Sequence, residues 1–187
     1  MVADASLADR LDALLPQTQC TRCGYSGCRP YAEALAAGTA NTDQCPPGGA
    51  GTAAALAALL ATAPLAVNPA FGTVLPPRVA VIDEAVCIGC AKCLPACPVD
   101  AIVGAPRQLH TVIASECSGC ELCLPPCPVD CITLVAIAPE PLALDAIRRQ
   151  ALQYRERYTA HGRRASERAA RRTARLEARG REPGPSP

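Results

Sequence analysis

The chain has 187 residues, half of them hydrophobic, and a formal net charge of +1, a length that suits one compact domain or two small ones. Alanine alone supplies 37 of the hydrophobic residues, against one phenylalanine, four tyrosines and no tryptophan. Aromatic side chains bury the most area per residue, so their scarcity excludes a large apolar core. Thirteen cysteines stand out as the alternative source of cohesion.

Cysteines in this number mean disulfides or metal. Residues 1–30 carry no basic stretch followed by an apolar one and a cleavage site, so no secretory leader is read there. A reducing compartment is therefore expected, where stable disulfides are rare. Most of the cysteines lie two to four residues from the next, as ligands converging on one ion or cluster do.

In chain order, residues 6–15 predict a short helix, with Ser6 and Asp9 as a capping box and Leu7, Leu11, Leu14 and Leu15 on one face. Pro16 stops it. Cys20, Cys23, Cys28 and Cys45 follow, with a second helix expected over Arg29–Ala37 and Pro30 in its first turn. The run 52–67 is uncharged but sixteen residues long and broken by Pro64, short of the roughly twenty a bilayer needs. It reads as a helix lying against the protein with Leu56, Leu59 and Leu60 on one face. Residues 63–77 carry four prolines and read as an extended linker.

Residues 78–138 contain an internal repeat. Cys87, Cys90, Cys93 and Cys97 recur thirty positions later as Cys117, Cys120, Cys123 and Cys127, accompanied by Gly89 and Gly119, Pro98-Val99-Asp100 and Pro128-Val129-Asp130, and Ile102 and Ile132. The β-rich runs VAVID, TVIA and ITLVAI flank the halves. A duplicated strand–loop–turn–strand unit with pseudo-twofold symmetry is expected, its halves packed on each other because neither buries a core alone. Residues 139–187 keep a helical stripe of Leu144, Ile147, Ala151, Tyr154 and Tyr158. They then become nearly all Arg, Ala and Glu, with i,i+4 pairs Glu167–Arg171 and Glu177–Arg181, and 182–187 are expected to be disordered.

The doubled run C-x2-C-x2-C-x3-C-P is the spacing that ligates [4Fe–4S] clusters. Three thiolates on one tight loop reach three corners of a cube, and the fourth cysteine, carried off by the proline turn, completes the other cluster. Cys87, Cys90, Cys93 and Cys127 are thus assigned to one cluster and Cys97, Cys117, Cys120 and Cys123 to the second. Zinc is the competing reading, although zinc motifs favour separated CxxC pairs. The set Cys20, Cys23, Cys28 and Cys45 is less stereotyped, and on spacing alone both a [4Fe–4S] cluster and zinc fit it. Cys131 occupies the repeat position of Ala101 and reads as a small buried apolar residue, not a ligand.

A cluster whose every iron is capped by cysteine has no open corner for substrate, so closed sites point to outer-sphere electron transfer. No catalytic residues are assigned: His110 and His161 read as structural or solvated, and no phosphate-binding glycine loop occurs. Residues 1–144 hold six basic against twelve acidic side chains, while 145–187 hold twelve arginines against five acids. Such a split can steer redox partners at one end and dock the tail elsewhere. No aromatic interleaves with the arginines after Tyr158, which speaks against nucleic acid.

The stretch VIDEAVCIGCAKCLPACPVDAIVGAPRQLHTVIASECSGCELCLPPCPVDCITLV, with CTRCGYSGCRPYAEALA…CPPGG before it, resembles the B subunit of the Rnf/Rsx electron-transport complex over roughly residues 7–137. The resemblance implies three [4Fe–4S] clusters and brings Cys20, Cys23, Cys28 and Cys45 to iron–sulfur. It also implies electron transfer at the cytoplasmic face of the inner membrane, among redox proteins and other Rnf/Rsx membrane subunits of an ion-translocating complex. That family usually starts with a transmembrane helix, which the segment before residue 7 lacks. Attachment through the arginine-rich tail or partner subunits, or a freestanding cytoplasmic form, is therefore expected. A soluble ferredoxin-type reductant subunit of another oxidoreductase and a nucleic-acid-associated redox protein are the alternatives. The expected architecture is α+β: a helical [4Fe–4S] domain over 1–62, a proline-rich linker over 63–77, a two-cluster ferredoxin-like domain over 78–138, and a helical tail over 139–187.

Overall fold

A computed structural model describes residues 5–180. The first helix, α1 (Leu7–Asp12), opens on the expected capping box. Ser6 Oγ accepts the Asp9 N–H at 3.2 Å and Asp9 Oδ2 accepts the Ser6 N–H at 3.0 Å, which satisfies two donors that a helix start leaves orphaned. Helix α2 (Cys28–Ala36) lies against α1, and α3 (Gly49–Leu59) follows the turn after Cys45. Helix α3 starts earlier and stops sooner than the run 52–67 suggests, because Ala61 takes a left-handed backbone (φ 53°). Among the described residues no helix is long and apolar enough to cross a membrane.

Leu11, Leu15, Tyr31, Leu35 and Leu56 are buried together with Cys23, Cys28 and Cys45. Proline dominates 63–77, where one 3₁₀ turn (Pro69–Phe71) is capped by the Asn68 side chain accepting the Ala70 N–H at 3.0 Å.

Four short strands frame the repeat. Strand β1 (Arg78–Ile82) runs antiparallel to β4 (Ile132–Ala136), with Arg78 opposite Ala136 and Ile82 opposite Ile132. Strand β2 (Ile102–Val103) pairs antiparallel with β3 (Thr111–Val112). The sequence pattern names β1, β3 and β4 but not β2, whose two residues are too few to show a period. Helix α4 (Cys93–Ala96) is a single turn. Left-handed backbone recurs at thirty-residue spacing: Gly89 and Gly119, Ala91 and Glu121, Asp100 and Asp130.

Helix α5 (Leu144–Gly180) is 37 residues long. Its predicted stripe packs inward through Ile147, Ala151 and Tyr154, whereas Tyr158 stays 37% exposed. The same face reaches both cysteine-rich regions. Arg155 pairs with Asp12 of α1 at 2.9 Å, and Arg157 Nε donates to the Val99 carbonyl at 2.8 Å. His161 Nδ1 lies 2.6 Å from Asp100 Oδ1, and Arg164 pairs with the same carboxylate. From residue 166 to 178 the helix is exposed, and Glu167–Arg171 is a loose surface pair at 3.4 Å. The expected Glu177–Arg181 pair and the tail 182–187 lie outside the described residues.

A second seam joins the first cysteine loop to the repeat. Ser118 Oγ donates to the Thr18 carbonyl at 3.2 Å, and the Glu121 carboxylate takes both Arg22, at 2.5 Å, and Arg78. These side chains are each about a quarter exposed (25–28%), so solvent discounts the pairs without erasing them. Glu121→Gln leaves two guanidinium groups without their anion and is expected to destabilise the iron-loaded protein by about 1–2 kcal/mol. Urea unfolding followed by circular dichroism measures this, and an unchanged midpoint would show the node to be solvated in solution.

Candidate metal centres

Each assigned cysteine set lines one small cavity. Cys87, Cys90, Cys93 and Cys127 line site I. Cys97, Cys117, Cys120 and Cys123 line site II. The N-terminal set, Cys20, Cys23, Cys28 and Cys45, lines site N. The fourth cysteine of each run lies with the other run's first three: Cys97 lines site II and Cys127 lines site I. The one-turn helix α4, from Cys93 to Ala96, makes the crossing in the first half.

Local sequence explains how the loops close. In site I's loop Gly89 has φ +67° and in site II's loop Gly119 has φ +65°, a left-handed backbone that glycine adopts without cost. In site N the work falls to buried amides. Gln17 Nε2 donates to the Asp12 carbonyl at 2.8 Å, Gln19 Nε2 donates to Gln17 Oε1 at 3.0 Å, and Gln19 Oε1 accepts the Cys28 N–H at 2.9 Å. Gln17 and Gln19, 2% and 3% exposed, are positioning residues that sequence reasoning passes over, because glutamines in a loop resemble ordinary surface residues.

Burial pushes the Cys28 and Cys123 thiols up to about 12 and Cys120 to about 11, and drives Cys45 well above the usual thiol range. Held protonated at neutral pH, such thiols are poor nucleophiles; bound to a metal they are thiolates whose charge the metal balances. All thirteen cysteines are free of disulfides. Among the described residues no three His, Cys, Asp or Glu side chains gather as ligands of a single ion would.

Cys131 is buried as expected, at 7% exposure, but it is not mere filler. It lines site I, with its sulfur 3.5 Å from that of Cys127. Burial and then the neighbouring Cys127 raise the Cys131 thiol. For Cys127, burial is outweighed by N–H groups of Val129 and Cys131, and its thiol is lowered. Cys131 thus lies in contact with Cys127 on the wall of site I. His110 is likewise more than a packing residue: it is 1% exposed, lines site I, and puts Nδ1 at 3.5 Å from Cys87 Sγ. His161 is held by Asp100, away from all three sites.

Comparison with known proteins agrees with this layout. The family described as "4Fe-4S dicluster domain" matches residues 80–134, and the one described as "Putative Fe-S cluster" matches residues 15–47. Among curated proteins, the B subunit of the ion-translocating oxidoreductase complex of Alkalilimnicola ehrlichii is 61% identical over 132 residues, 70% of this chain and 71% of the relative. The protein of the same name from Pseudomonas paraeruginosa is 64% identical over 134 residues, 72% of this chain and 70% of the relative. That of Thiobacillus denitrificans is 60% identical over 110 residues, 59% of this chain and 58% of the relative. No solved structure matches. With two cysteine-rich modules in this order and identity near 60% across both, the chain belongs to the family of B subunits of the ion-translocating oxidoreductase complex and is an iron–sulfur electron-transfer protein.

Proposed function

We propose that the chain holds three [4Fe–4S] clusters, in sites N, I and II, through the twelve cysteines assigned above, and relays single electrons between redox proteins of a membrane-associated complex. The observation that carries this reading is the gathering of four assigned cysteines around each of three cavities, with Cys97 and Cys127 exchanged between sites II and I. The helical site N module and a ferredoxin-like unit with pseudo-twofold symmetry are parts of the same reading. The symmetry of the ferredoxin-like unit is supported by the left-handed positions recurring thirty residues apart.

When bound, a [4Fe–4S] cube supplies a one-electron couple with no open coordination position. The chain's own part is to wrap the sulfurs, exclude water and present N–H groups. Ala101 N–H donates to Cys97 Sγ at 3.2 Å and Ala80 N–H to Cys117 Sγ at 3.4 Å. Hydrogen bonds of this kind tune the potential of the site they serve.

By position, site II stands between site N and site I in the relay. Cys20 of site N and Cys117 of site II face one groove between the modules, beside the Ser118–Thr18 hydrogen bond. Site II and site I are in turn linked by the single turn between Cys97 and Cys93. Cys90 of site I is exposed, which suits exchange with a partner there. Membership in a multi-subunit ion-translocating complex is supported by the name its relatives carry, and peripheral placement at a membrane is part of the same proposal.

Iron and acid-labile sulfide in the anaerobically purified protein test the count. About twelve of each per chain are expected for three cubes, falling to about eight for Cys45→Ser. Eight irons with one zinc in the unsubstituted chain would return site N to zinc.

A further inference from the structure

The thirty-residue repeat makes the two halves look equivalent, yet one pair of positions is exchanged between them. It sends Ala80 to His110 and Leu134 to Gly104. Ala80 stands opposite Leu134 in the β1–β4 register. The β2–β3 register has Val103 opposite Thr111, so its next pair is Gly104 with His110. A small residue faces a large one in both cases, with the roles swapped. The swap is tight: a Cβ on Gly104, whose φ is +152°, would lie 2.1 Å from His110 Cδ2.

The same positions serve the cysteines. Ala80 sends its backbone N–H to Cys117, the first cysteine of the second run, at 3.4 Å. His110, its repeat counterpart, brings Nδ1 to 3.5 Å from Cys87, the first cysteine of the first run. One half reaches across with a peptide N–H and the other with an imidazole. A metal-bound thiolate sulfur only accepts, so the contact requires the proton on Nδ1. His110 Nε2 is buried and finds no hydrogen-bond partner among the described residues. A bare ring nitrogen tolerates that position better than an N–H, which would strand a buried donor. Both ring nitrogens therefore select the same neutral tautomer.

We propose that His110 is the residue that sets the potential of site I apart from that of site II. Its Nδ1–H donates to the Cys87 sulfur and favours the reduced state of the cube held there. This rests on site I holding a [4Fe–4S] cluster. Reduction adds one electron, spread partly onto the cysteine sulfurs, and a donor dipole aimed at a sulfur stabilises the more negative state. The proton stays on Nδ1 and no bond is made or broken. Site I is also where Cys90 meets solvent.

The test uses the full-length, cluster-loaded protein under anaerobic conditions. Histidine labelled with ¹⁵N in the ring is expected to show hyperfine coupling to one dithionite-reduced cluster by pulsed electron paramagnetic resonance. That coupling disappears in His110→Phe. In a potentiometric titration of His110→Phe, one of three midpoints is expected to fall. The reduced-to-oxidised ratio of that cluster drops about tenfold at fixed potential, which is ~59 mV for one electron. The other two midpoints stay in place, and His110→Asn, which keeps a side-chain N–H, recovers most of the shift. Absence of ring coupling in the unsubstituted protein, or unmoved midpoints in both variants at full iron content, overturns the proposal. If His110→Phe loses the site I cluster, the ring coupling and the His110→Asn titration still decide. A protein whose site I never takes iron fails earlier and overturns the cluster reading instead.

Discussion

Stripping the iron from this protein under anaerobic, reducing conditions is expected to unfold residues 7–137, not merely to silence them. The reason lies in what the cores contain. Cys23, Cys28 and Cys45 belong to the N-terminal core, and Cys93, Cys97 and Cys123 belong to the core of the repeat. Without metal, each site becomes four unbridged cysteines, and thiols are weak hydrogen-bond partners. The surrounding elements cannot stand alone: α1, α2 and α3 have 6, 9 and 11 residues, below the ~12–15 at which isolated helices become even marginal. Strands β2 and β3 have two residues each. With one phenylalanine and no tryptophan in the chain, little apolar area takes over, and metal binding becomes folding free energy. Circular dichroism during chelation should show loss of secondary structure in step with loss of visible absorbance, restored by iron and sulfide. A chelated protein that kept a cooperative melt and protease resistance would show that the apolar residues suffice.

How much of this is legible in the sequence depends on how local each feature is. That Cys87, Cys90 and Cys93 share one cavity is legible, because a spacing of two residues turns three sulfurs inward on one tight loop. The capping box at Ser6 and Asp9 and the α5 stripe are legible for the same reason, since both are set within a few residues. Strand β2 is not, because its extended conformation is imposed by pairing with β3. The stripe on α5 announces a buried face but not its partner; that Arg155 and Arg157 reach Asp12 and Val99 depends on residues more than fifty positions away. Gln17, Gln19 and His110 are invisible as site residues for a related reason. Gln19 meets the Cys28 N–H, Gln17 holds Gln19, and His110 meets the Cys87 sulfur; no spacing rule encodes those contacts. Cys131 is half legible: its repeat partner Ala101 marks it as small and buried, whereas its closeness to Cys127 emerges only from the fold.

Gly119→Ala is expected to cost site II its cluster. Gly119 sits between Ser118 and Cys120 with φ +65°, and a Cβ there would come within 2.4 Å of the Arg78 carbonyl oxygen. Left-handed strain alone costs an alanine about 1 kcal/mol, a loss the protein can absorb. The overlap is the larger matter, because the atom in the way is backbone. Arg78 begins β1, its register opposite Ala136 is fixed, and its side chain is tied to Glu121. Neither the strand nor the cysteine loop can retreat without spreading Cys117 and Cys120, so cluster geometry gives way first. Gly24→Ala is the matched control: it lies beside Cys23, has φ +85°, and meets nothing within 4 Å. It should bear the strain alone and keep all its iron. Measured side by side, Gly119→Ala should lose about four of twelve irons per chain while Gly24→Ala stays near full loading. Equal iron content in the two variants would mean that left-handed strain, not contact with β1, is what glycine relieves at position 119.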